Sequence, residues 1–138
     1  KKKKLSVKYN KKLPTGYILE NILTSYDVGM LSVMIRSKTL KNEKYIFDDR
    51  FEIIGDFDLM VRMAGKYKFE CVQEPIAFYR RHESNISKKK KKQGLSELLL
   101  WAKEVMKNRP YYYNKKLKFV FDKIYYEEAK ILIEQNNR

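Results

Sequence analysis

The spacing of apolar and polar positions divides the chain into two unlike parts. From residue 95 onward, apolar residues recur at steps of three and four, through Leu95, Leu98, Leu99, Ala102, Val105 and Met106 and again through Leu117, Val120, Phe121, Ile124, Leu132 and Ile133. That spacing follows the 3.6-residue turn of an α-helix, so it predicts two amphipathic helices. Arg109-Pro110 stops the first, because proline offers no amide hydrogen and its ring clashes with the preceding turn. The sequence Tyr111-Tyr112-Tyr113-Asn114 then reads as the connection of an αα-hairpin.

The earlier part has shorter and mixed patterns. Leu13-Pro14-Thr15-Gly16 is turn chemistry, and residues 17–24 carry Ile18, Leu19, Ile22 and Leu23 at helical spacing. Residues 28–35 are dense in β-branched and large apolar side chains and predict a buried strand; residues 37–44 read as a polar connection with room for a helical turn. Phe47-Asp48-Asp49-Arg50-Phe51 resembles a loop with two aromatic anchors. Gly55-Asp56 places a flexible residue and a capping carboxylate before a helix over residues 57–66, with Leu59, Met60, Met63 and Ala64 on one side, Arg62 and Lys66 towards the other, and Gly65 at its end. Residues 68–73 and 76–80 are two strand candidates separated by Glu74-Pro75. No internal repeat is visible.

A chain of 138 residues with 43% apolar and 14% aromatic content can bury one core, so a compact domain is expected rather than a disordered tail. No stretch approaches the unbroken run of about 20 apolar residues that crosses a bilayer, and no signal-peptide core follows the lysine-rich start. The expectation is a soluble, cytoplasmic protein. Its single cysteine, Cys71, cannot form an internal disulfide and reads as a small buried side chain. The opening Lys1-Lys2-Lys3-Lys4, without methionine, points to a processed chain or a piece of a longer one.

The net charge of +14 is unevenly spread: seven lysines fall in residues 1–12 and five more form the run 88–92, which leaves +2 on the rest. Nucleic-acid-binding domains carry their basic residues on one folded face among aromatic and hydrogen-bonding groups, so nucleic acid is the least favoured partner. Solvated charge runs are the plain reading, with attraction to an anionic membrane surface the alternative.

Two segments carry chemistry. Phe47 to Leu59 runs Phe-Asp-Asp-Arg-Phe-Glu-Ile-Ile-Gly-Asp-Phe-Asp-Leu, followed by Arg62, and Tyr79-Arg80-Arg81-His82-Glu83-Ser84-Asn85-Ile86-Ser87 comes after it. In that order and separation they resemble the second half of family 2 glycosyltransferases, where a Phe-Asp loop precedes a Gly-(Glu)-Asp-aromatic-Asp helix start and a Tyr-Arg-x-His-x-x-Asn-x-Ser segment follows two strands. Leu31 to Leu40, with its Met34-Ile35-Arg36-Ser37, also resembles the family's strand before this loop. The likeness covers residues 13–88.

The resemblance implies an α/β fold, a partial GT-A type fold with a mixed sheet and helices, followed by the C-terminal α-helical hairpin. The corresponding divisions are a basic lead over 1–12, an acceptor-side half over 13–88 and a hairpin over 89–138. It implies transfer of a sugar from a nucleotide-sugar to a saccharide or lipid-linked acceptor, with inversion. The half that binds the donor with a divalent metal, Mg or Mn, is missing, so no metal is expected to bind this segment tightly. Asp56 takes the position of the catalytic base, although Gly55 replaces the glutamate common before it. Asp58, Arg80, Arg81 and His82 take substrate-contacting positions, and His82 is also a candidate metal ligand. Asp56-Phe57-Asp58 spells Asp-x-Asp, but carboxylates two residues apart at a helix start point in different directions and do not readily share a cation. For each residue there is a plainer use: helix N-cap for Asp56, favourable placement in the first-turn dipole for Asp58, surface for His82. Trp101 and Tyr111 to Tyr113 suit stacking on a sugar ring, or more simply the hairpin core. The rival class is a non-enzymatic basic module that binds an anionic membrane or nucleic acid.

Overall fold

The computed structural model describes residues 6–7, 11–82, 84–108 and 110–136, with backbone alone at residues 87 and 110–115. Most of the basic lead lies outside these residues, as do Arg109 and the side chains of Tyr111 to Tyr113. Along the chain run α1 (Leu19–Thr24), a 3₁₀ turn (Met30–Ser32), α2 (Ser37–Lys41), α3 (Gly55–Ala64), α4 (Ile86–Lys89), α5 (Lys91–Asn108) and α6 (Pro110–Asn136).

The expected α/β architecture is not seen. Among the described residues there is no strand and no sheet, only one isolated antiparallel bridge between Gly16 and Phe69. Gly16 adopts φ +83°, a left-handed conformation that glycine tolerates, and the two residues exchange amide bonds of 2.7 and 2.8 Å. A short apolar run becomes a strand only where a neighbour accepts and donates along its length, and here none does. Residues 28–35 instead fold around the 3₁₀ turn, where the amide and hydroxyl of Ser32 both bond the Gly29 carbonyl, and Met34 is 98% exposed. Residues 76–80 form no strand, and Phe78 is 86% exposed. Of the two aromatic residues in the loop before α3, Phe51 is buried in the core and Phe47 is half-exposed.

The core forms around α3. Apart from Asp56 and Arg62, each residue of this helix is buried, Val61 included, so it is enclosed rather than one-sided as its spacing implied. A helix that is apolar nearly all round needs cover on several sides. Ile18 at the N-cap of α1, Ile22 and Leu23 within it, Trp101 and Ala102 from α5, and Leu117, Val120 and Ile124 from α6 belong to the same core. Gly65 follows α3 as its C-cap, as expected.

The helical hairpin forms and packs on the earlier part of the chain. Lys91, the first residue of α5, pairs with Glu127 of α6 at 2.7 Å, a contact that places the two helices antiparallel. The connection is tighter than expected: residues 111–114 belong to α6, which begins at Pro110, a position where a missing amide hydrogen costs nothing. The lysine run 88–92 is likewise no loop. Lys88 and Lys89 end α4, Lys91 and Lys92 open α5, and Lys90 bonds Glu52.

Candidate functional site

Asp56 is the second residue of α3 and not its N-cap, a position held by Ile54 without any side-chain cap. Its Oδ1 accepts the Phe57 amide at 2.7 Å, and the carboxyl is half-buried. Burial pushes its pKa above the ordinary aspartate value, while the Phe57 amide, the enclosed Tyr26 hydroxyl and its own amide pull the other way without cancelling the rise. A carboxylate whose pKa moves towards neutrality accepts a proton with more driving force.

Asp58 is bonded on both oxygens. It is 5% exposed; Trp101 Nε1 donates to Oδ1 at 3.0 Å and Arg62 Nε donates to Oδ2 at 2.9 Å. Arg62 also donates to Glu43 at 3.0 Å and to the carbonyls of Tyr45 and Ile46 at 3.1 and 2.7 Å, with its guanidinium over the Tyr45 ring. Lys66 completes the group at 2.7 Å from Glu43. Burial pushes the Glu43 carboxyl up, but Lys66 and Arg62 outweigh it and hold the pKa below the usual value. The network turns Asp58 inward and ties the segment at residues 43–46 to α3.

Asp56 and Asp58 therefore have different partners and do not converge on a shared cation. Among the described residues no three His, Cys, Asp or Glu side chains converge either. These residues do not form a site for the divalent metal that the resemblance implies for the complete enzyme.

Arg80, Arg81 and His82 lie in an exposed, irregular segment shaped by Asn85. The Asn85 Nδ2 donates to the Tyr79 hydroxyl at 2.9 Å and to the Arg80 carbonyl at 3.4 Å, while its Oδ1 accepts the His82 amide at 2.6 Å. One side chain thus bends the chain from residue 79 to 82, and a shallow cleft of about 80 Å³ opens between Tyr79, Arg81, Asn85 and Lys88. Among the described residues no hydrogen bond or ion pair joins Arg80, Arg81 or His82 to Asp56 or Asp58.

The grip on the α3 start comes from α5. Glu97, 8% exposed, accepts the amides of Ile53 and Ile54 on Oε2 at 2.8 and 3.2 Å and Gln93 Nε2 on Oε1 at 2.8 Å. One turn later Trp101 meets Asp58, and its ring packs edge-on against Phe57 with centroids 4.9 Å apart. Phe57 in turn meets Tyr26 at 5.3 Å. Glu104, three residues further on, takes Arg50 at 2.7 Å, and Arg50 also holds Asp48 at 2.8 Å. Glu97, Trp101 and Glu104 share one helix face at four- and three-residue spacing. Sequence reading put the leucines at the centre of the buried face and missed this polar one; its visible signal is a glutamate one turn before a tryptophan whose N–H needs an acceptor.

No protein-family model, no curated protein and no solved structure matches the chain.

Proposed function

We propose that this chain is the acceptor-side part of an inverting glycosyltransferase and that Asp56 is its general base. As the acceptor hydroxyl oxygen attacks the anomeric carbon, its proton passes to the Asp56 carboxylate, and the bond from that carbon to the nucleoside diphosphate breaks with its electron pair leaving on the diphosphate oxygen. Arg80, Arg81 and His82, exposed on the segment that Asn85 bends, are assigned to substrate contacts, where a cation offsets the charge gathering on the leaving group. Asp58 supports the site from inside the fold through Trp101 and Arg62.

The observation that supports this reading best is the contrast between two carboxylates two residues apart: Asp58 has both oxygens occupied, while Asp56 is half-buried with a raised pKa. A half-buried carboxylate with a raised pKa at a helix start is the environment expected of a general base. The order of the two motifs, residues 47–59 and then 79–87, adds to it.

The test is a screen of the full-length gene product against a panel of nucleotide-sugars and saccharide or lipid-linked acceptors, with nucleoside diphosphate release as the readout. Release that requires an acceptor is expected. If no donor supports release above the rate without protein, the sugar-transfer reading falls.

A further inference from the structure

The face of α5 that carries Glu97 and Trp101 bonds the chain on both sides of Asp56. Glu97 bonds the amides of Ile53 and Ile54 before it, and Trp101 bonds Asp58 and packs on Phe57 after it. A buried carboxylate is costly unless its oxygens are bonded, and two of the three bonds to Glu97 come from backbone amides of a different element. The Ile54 amide is among those that helix geometry leaves without an intrahelical acceptor, and no side chain local to the α3 start caps it. One turn before Glu97, Gly94 lets α5 approach closely: a Cβ there would stand 3.0 Å from Ile53 Cγ2.

We infer that Glu97 is a positioning residue for Asp56: it clamps the turn at Ile53 and Ile54 from which α3 presents the carboxylate. The inference rests on reading Asp56 as the base, and it adds that the exactness of that base's placement comes from a residue 41 positions later in the sequence. Reach matters here more than charge. Gln keeps an oxygen at the right distance for both amides, whereas Asp keeps the charge and withdraws it by one methylene.

The experiment compares Glu97→Gln, Glu97→Asp and Asp56→Asn in the full-length gene product, with two readouts. In turnover, Glu97→Asp should lower kcat by about 10- to 100-fold at nearly unchanged KM, the scale of a misplacement of about 1 Å, and Glu97→Gln should stay within a few-fold of the wild type. In carbon-13 NMR, the Asp56 carboxyl should titrate above the usual aspartate range in the wild type and in Glu97→Gln. In Glu97→Asp it should move down towards the ordinary value as water reaches it. Methyl signals of Leu117 and Ile124 report whether the core is intact in each variant. The inference is overturned if Glu97→Gln behaves like Glu97→Asp in turnover, or if the Asp56 titration in Glu97→Asp matches the wild type. Near-normal turnover in Asp56→Asn sinks the base assignment alone, because the NMR comparison still decides whether Glu97 sets the environment of Asp56.

Discussion

Trp101 donates its indole N–H to Asp58 Oδ1 at 3.0 Å, a bond between two buried side chains that lie 43 residues apart in sequence. It joins the C-terminal hairpin to the helix that carries the candidate base. Trp101→Phe keeps a ring for the edge-on contact with Phe57 but leaves a buried carboxylate oxygen without this donor. The expected loss is about 1–3 kcal/mol of unfolding free energy, read by urea denaturation with an unchanged m-value. A change near zero would mean that the bond does not hold the hairpin to α3.

Asp56→Asn should stabilise the fold at neutral pH. The folded pKa of Asp56 is raised, so the native state favours the protonated form, and stability falls as pH rises from the ordinary aspartate range through the folded pKa. Asparagine keeps an oxygen for the Phe57 amide and removes that cost. The melting temperature of the variant should exceed that of the wild type at pH 7, and the two should converge below the unfolded aspartate pKa of about 3.9. A variant less stable than the wild type at pH 7 would contradict the environment assigned to Asp56.

Glu43 should behave in the opposite sense. Its carboxylate, 3% exposed, bonds Arg62 and Lys66, and its folded pKa is lowered, so its contribution is present above the unfolded glutamate pKa and lost as pH falls through the folded one. Glu43→Gln should cost about 1–3 kcal/mol at pH 7, the scale of hydrogen bonds to charged groups, and the deficit should narrow only in acid. A deficit that is the same at every pH would point to lost packing instead.

The helix after Asp56, its end at Gly65 and the α5–α6 pair were legible because each rests on local chemistry or on a period sustained over several turns. Residues 28–35, 68–73 and 76–80 were not: five to eight apolar residues look alike whether they pair in a sheet or lie extended, and pairing depends on neighbours that the local sequence does not name. Cys71 is only partly covered for the same reason. Glu97 was missed because a glutamate on a helix is read as solvent-facing, and only the folded chain brings the amides of Ile53 and Ile54 to it. Asp58 was legible as a helix-start acid, but its bond to Trp101 spans a separation that spacing cannot reveal.

The lysine run 88–92 is built into helix ends, and Lys91 faces Glu127 across the hairpin with both side chains partly exposed. Lys91→Gln should therefore cost less than about 1 kcal/mol, and the difference should fade in high salt. A larger, salt-independent loss would mean that this pair fixes the register of α5 on α6.

The claim that Asp56 accepts the acceptor's proton is tested most directly by the turnover of Asp56→Asn in the full-length gene product, across pH and beside the wild type. The expected result is a fold intact by circular dichroism, a kcat reduced by about 10²–10⁴-fold, and loss of the acid limb that the raised Asp56 pKa gives the wild-type profile. Turnover within a few-fold of the wild type, with the acid limb still in place, would contradict it.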